Sequence, residues 1–185
     1  MIPFGRNADT CISVFWAMRG GGAGSWGVII SATFRTYPTF ETTLHRLIFY
    51  APTSEVAGQL AAIHAKHIFD WDDFRSGQYF YMLQGRKYDA EGYGFALVTY
   101  FANCTAEQAR TAMRPFMDDA KANQHSILLE EIVTKPANDV VYHLDDTGGS
   151  NEILGSRLIP ASAYRGDTAK IYETYKYLLD EGIDV

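Results

Sequence analysis

The chain has 185 residues, 47% of them hydrophobic and 21% charged. That suffices for one domain, or one domain with an attached piece, and the composition is that of a globular rather than a disordered chain. The formal net charge is −6 and the pI is near 5.3. No basic patch suggests a nucleic-acid surface, and no apolar run is long enough for a membrane span.

No basic segment followed by an apolar run opens the sequence, so no signal peptide is visible, and the compartment is left undetermined. Cys11 and Cys104 are too few for a disulfide scaffold and have no metal-ligand spacing. Both read as unpaired thiols, with one bridge between them as the alternative. His64 and His67 lie three apart on an expected helix and read as a partly exposed pair rather than as metal ligands. The acidic spots Asp70–Asp73 and Asp145–Asp146 read as solvated loops. Twelve tyrosines and eleven phenylalanines point to a thick apolar core or an aromatic-lined pocket.

In chain order, Ser13–Arg19 is short and apolar and reads as a brief helix that stops at a glycine cluster. Gly20, Gly21, Gly22, Gly24 and Gly27 follow. Val28–Tyr37 is β-branched and aromatic and predicts a strand ended by Pro38. Thr43–Tyr50 predicts a second strand. Thr53 or Ser54 then caps a helix to about His67, with Val56, Leu60, Ile63 and His67 on one stripe. Gln78–Gln84 and Tyr93–Ala102 predict an antiparallel hairpin around the turn-rich Gly85–Gly92. Thr105 caps a helix reaching about Lys121. Leu128–Thr134 predicts a strand, Asp145–Asn151 a loop, and Asp167–Glu181 a last helix with Ile171, Tyr175 and Leu178 on one stripe. Ser156–Ile159 is ambiguous.

The order after Pro38 is therefore strand, helix, strand, strand, helix, strand. It predicts an α+β fold, an antiparallel sheet with helices on one face. Residues 1–38 cannot bury a core by themselves, because a short helix, a turn and one strand leave most of their apolar surface exposed. The expected division is thus 1–38 and 39–185.

The segment VFWAMRGGGAGSWGVIISATFRTYP, residues 14–38, carries the functional signal. Dense glycine serves where backbone turns sharply or must approach another group, and bare amides can hydrogen-bond phosphate or ring oxygens. The spacing is neither a dinucleotide fingerprint nor a P-loop. A turn that only joins two elements is the plain alternative.

As a string, the segment resembles the end of the FAD-binding domain of the vanillyl-alcohol oxidase family, particularly the berberine-bridge-like (PCMH-type) oxidases. Phe15, Trp16, Ala17, Arg19, Gly20, Gly21, Gly22, Gly24, Gly27, Val28, Ser31, Ala32, Thr33, Phe34, Arg35 and Pro38 carry the likeness, and Gly155–Pro160 resembles the same family's substrate domain. Ser25 and Trp26 stand where an Asn-Phe pair is usual. Ser13 and Val14 replace the residues that usually precede the motif's Phe-Trp.

The resemblance implies a truncated FAD-linked oxidoreductase. Residues 1–38 would be the remnant of the flavin domain, and 39–185 part of an α+β substrate-binding domain. Gly21, Gly22, Gly24, Gly27 and Val28 would line the cofactor. The upstream pyrophosphate loop and any flavin-linking residues are not in this sequence, and Cys11 does not match a linking cysteine. Implied partners are FAD, a small-molecule substrate and a missing N-terminal flavin-binding half. Tyr79, Tyr81 and Tyr100, on expected strands, are the candidates for a catalytic base, although packed core aromatics are the plain alternative. Arg157 is a candidate for a substrate carboxylate or phosphate, with a surface ion pair as its alternative. Glu130 and Glu131 are adjacent, so on a strand they face opposite ways and cannot act as a carboxylate pair. A flavin-free small-molecule binding or structural module remains the alternative for the whole chain.

Overall fold

The structure is a computed structural model. It describes residues 16–17, 20–28, 30–31, 33–88, 90–141 and 158–185. The chain divides into two compact units, Met1–Pro38 and Thr39–Val185.

In the second unit, β1 (Glu41–Ala51) is an inner strand and is rich in β-branched and aromatic residues. Helix α1 (Ser54–His67) follows, and the Thr53 side chain accepts from the Val56 amide at its N-terminus. Strands β2 (Ser76–Gln84) and β3 (Tyr93–Ala102) form the expected hairpin, with a 3-10 turn at Gly85–Tyr88 between them. Helix α2 (Ala106–Ala122) opens with a reciprocal capping box between Thr105 and Gln108. Strand β4 (Ile127–Pro136) runs into the short α3 (Ala137–Val141). Last come α4 (Ala161–Arg165) and α5 (Thr168–Asp180), the latter capped by Asp167.

The four strands pair antiparallel in the order β2-β3-β1-β4. This is the α+β sheet that the sequence order predicted. Strand alternation puts Thr43, His45, Leu47 and Phe49 of β1 on one face, with Phe95, Leu97 and Phe101 of β3 beside them. Helices α1 and α2 cover that face, and α5 packs on α1, where Lys176 reaches Glu55 at 3.3 Å.

Phe116 of α2 is the hub of the core. Its ring centroid lies 5.9 Å from Phe49, 6.4 Å from Phe95 and 6.1 Å from Trp71. Trp71, within the expected acidic loop, is buried, and its indole N–H donates to the Ala112 carbonyl at 3.1 Å. This anchors the loop after α1 to α2. At the other end Val185 exchanges backbone hydrogen bonds with Met82, at 2.6 and 3.0 Å, so the last residue lies along the outer edge of β2.

Two expectations within this unit need correction. The buried stripe of α1 is Ala57, Leu60, Ala61, His64 and Ala65, with Val56 and Ile63 only partly covered. Small alanines let the helix approach the sheet closely, so the larger side chains sit at the margin. His64 and His67 are both buried rather than partly exposed, because each finds polar partners on neighbouring elements.

In the first unit, Trp16 and Ala17 are helical and Ala23–Ser25 forms a 3-10 turn. The expected strand from Val28 to Tyr37 does not form: the described residues there carry no strand pairing. A strand exists through its neighbours' hydrogen bonds, and no described strand pairs with this segment. Val28, Ile30, Phe34 and Tyr37 are strongly exposed, as expected of a segment that cannot close a core by itself.

Candidate functional site

The glycine-rich turn has two kinds of glycine. Gly22 has φ +76°, a left-handed conformation that side chains disfavour, and a Cβ on Gly21 would come within 2.5 Å of the Ala17 carbonyl oxygen. The turn itself demands both. It is held by Gly21 N–H to Ala17 O at 2.7 Å, Ser25 N–H to Gly22 O at 2.9 Å, and the Trp26 indole donating to Gly21 O at 2.8 Å. Gly24 is different, since a Cβ there would meet nothing within 4 Å and its φ is not in the left-handed range. The turn does not explain its bareness; close approach by another group would. Trp26 and Val28 are exposed beside it, Val28 at 93%. Bare backbone next to exposed apolar side chains fits the edge of a flat, polar-rimmed ring.

In the second unit, the sheet face opposite the helices carries the candidate tyrosines. Tyr79 and Tyr81 stack with centroids 6.0 Å apart and an interplanar angle of 5°. Tyr100 meets Tyr79 edge-on at 6.2 Å and 80°. Tyr79 and Tyr81 are exposed, so a ligand can reach them, unlike core aromatics. Their neighbours follow from register. Tyr79 faces Val98, which faces Arg46, which faces Glu131; Tyr81 faces Ala96, then Ile48, then Leu129. The face is closed toward Thr42 and Leu44, which are buried, and exposed toward Tyr50. Arg157 and Cys11 lie outside the described residues. Arg46 was not singled out from the sequence; its place on the tyrosine face depends on the strand register.

Four histidines are buried among the described residues, and three of them, His45, His64 and His67, have polar partners within the fold. His64 contacts Gln78 at 3.0 Å and lies 4.6 Å from the Phe80 ring. Burial, opposed by the Gln78 hydrogen bond, holds its pKa down to about 4. His45 contacts Glu130 at 3.1 Å, and burial likewise lowers its pKa. His67 bridges Asp70 at 2.6 Å and Asp119 at 2.8 Å, joining α1 to α2. The Asp119 carboxyl is held below its usual range first by Lys66, at 2.5 Å, and then by His67. Cys104 is a free, buried thiol whose pKa burial raises. No group of three or more His, Cys, Asp or Glu among the described residues is placed to hold a metal ion. No described helix is long and apolar enough to cross a membrane. An open depression of about 420 Å³, lined among others by Tyr50, Gln59, Gln124 and His125, contains none of the candidate site residues.

No protein-family model matches the chain. Several curated proteins do. The chain is 22% identical to the FAD-linked oxidoreductase patO of Aspergillus clavatus, over 92% of its own length and 30% of that protein. It is 27% identical to the FAD-linked oxidoreductase phmC of Phaeosphaeria nodorum, over 86% of this chain and 35% of the relative. A shorter stretch of 71 residues is 39% identical to the FAD-linked oxidoreductase asqF of Emericella nidulans, covering 12% of it.

Among solved structures, the VAO-type flavoprotein MtVAO713 of Myceliophthora thermophila C1 superposes with a TM-score of 0.68 at 21% identity, over 90% of this chain and 31% of that one. MtVAO615 from the same organism gives a TM-score of 0.56 at 19% identity, over 69% of this chain. The fold is thus that of the VAO-type flavoproteins. The curated proteins it matches are named FAD-linked oxidoreductases, and the chain spans about a third of the length of the relatives it matches most fully.

Proposed function

We propose that this chain forms part of the flavin and substrate site of an FAD-dependent oxidoreductase acting on a small organic molecule. In this reading residues 1–38 belong to the flavin-binding domain and 39–185 to the substrate-binding domain. The chemistry supplied when FAD is bound is acceptance of a hydride at N5 from an alcohol, sugar or amine carbon, with oxygen taking the electrons. Gly21, Gly22, Gly24, Gly27 and Val28 border the cofactor, chiefly through backbone amides. The remainder of the flavin domain supplies the pyrophosphate contacts, which are charge-assisted and carry much of the affinity.

The tyrosine face forms one wall of the substrate site. Tyr79, Tyr81 and Tyr100 offer flat surfaces for stacking, and a phenol there can hold or accept the proton that leaves a substrate hydroxyl or amine. Arg157 is a further candidate for an anionic group on substrate or cofactor. The observation that carries the reading is the exposed, stacked tyrosine cluster on the helix-free side of the sheet, within a fold shared with flavoproteins.

The test is a visible absorbance spectrum of the purified chain after incubation with FAD and desalting. Retained flavin bands would mean that the glycine turn and the sheet suffice to hold the cofactor, and anaerobic bleaching by a substrate would extend the reading to turnover. A colourless protein with intact circular dichroism would make a flavin-free small-molecule binding module the better account of this polypeptide.

A further inference from the structure

We infer that Arg46, only lightly held by Glu131, makes the tyrosine face selective for planar aromatic compounds bearing an anionic oxygen, a carboxylate above all; this rests on that face being the substrate wall. Register places Arg46 in the middle of the face, between Val98 on β3 and Glu131 on β4, with Tyr79 one strand further on. Its neighbours along β1 on the same face are Leu44 and Ile48, both apolar. A guanidinium is a rigid fork of five donors suited to bidentate carboxylate recognition. Its ion-pair partner is Glu131, at 3.4 Å from Nη1 to Oε2, longer than the roughly 2.8 Å of a charge-assisted hydrogen bond. Both side chains are partly exposed, at 38% and 41%.

The fork is therefore lightly engaged and accessible. Among the strand residues of this face, two cations, Arg46 and Lys135, stand against one anion, Glu131. The face thus carries a net positive charge on a chain whose formal net charge is −6. The stacked Tyr79 and Tyr81 rings supply the flat apolar surface beside it. A ring stacked on them directs an acidic substituent toward Arg46.

The probes are 2-naphthoate and its neutral counterpart 2-naphthamide, titrated into the flavin-free chain. The readout is the ring-proton shifts of Tyr79 and Tyr81. The carboxylate is expected to bind about fivefold more tightly than the amide, the scale of a partly exposed charge-assisted contact. Arg46→Gln should erase that preference, and Glu131→Gln should increase it by freeing the fork. Equal affinity for the two probes, a preference that survives Arg46→Gln, or no binding of either would overturn the inference. Flavin retention without the preference would sink it while leaving the proposed function standing. The preference without flavin would sink the proposed function and keep the anion-accepting face.

Discussion

Phe116→Ala is expected to destabilise the second unit by about 3–5 kcal/mol, the usual cost of deleting a fully buried aromatic. Phe116 is fully buried, and its ring meets Phe49 and Phe95 of the sheet, Trp71 of the loop after α1, and both His64 and His67 of α1. Its loss opens a cavity where the sheet, two helices and the Trp71 anchor converge. Typical domain stabilities are about 5–15 kcal/mol, so a fifth or more of the total is at stake. Urea unfolding followed by circular dichroism measures it. The exposed neighbour Arg114→Ala should change stability by less than about 0.5 kcal/mol. A Phe116→Ala midpoint close to the parent's would mean that this junction does not hold the unit together.

The second large effect is acid sensitivity, set by His64. Its folded pKa is held down to about 4 by burial, against 6.5 in the unfolded chain. Above pH 6.5 both states are neutral at this ring and stability is complete. As pH falls below 6.5 the unfolded chain takes up a proton that the folded one refuses, so stability drops until about pH 4. The shift corresponds to about 3 kcal/mol across that window. His45 and His125, whose pKa values burial also lowers, act in the same direction. Measured stability should therefore fall steeply between pH 6.5 and 4, and His64→Gln should flatten the slope by about one proton. An unchanged slope in that variant would place the acid sensitivity in other groups.

The four strands and three longer helices of residues 39–185 were legible because their local signals agree with their tertiary roles, whereas the short helices Ala137–Val141 and Ala161–Arg165 were not predicted. Thr53, one of the two caps offered, and Thr105 cap their helices, and Asp167, where the last helix was expected to start, caps it. The strand expected at Val28–Tyr37 failed for a physical reason. β-branched composition gives a propensity, but a strand requires a partner, and no described strand pairs with this segment.

The burial of His64 and His67 was hidden for a related reason. Their partners, Gln78 and Asp119, come from elements 14 and 52 residues away, and spacing within one helix cannot reveal them. Of the candidate site, the shared face of Tyr79 and Tyr81 followed from period-two alternation, while Tyr100 joins it through the β2–β3 register. Arg46 and Glu131 needed the register between β1 and β4, which no local pattern fixes.

The glycine turn was legible as a string, but the special standing of Gly24 needed coordinates to separate glycines that the turn requires from one it does not. That distinction bears on the central claim, that this turn borders a flavin. Its most direct test is a titration of the isotopically labelled chain with FAD, followed through backbone amide shifts. The amides of Gly22, Gly24, Gly27 and Val28 should move together and saturably, with those of α1 left in place. Amides that stay fixed up to millimolar FAD, or shifts confined to the helices, would contradict it.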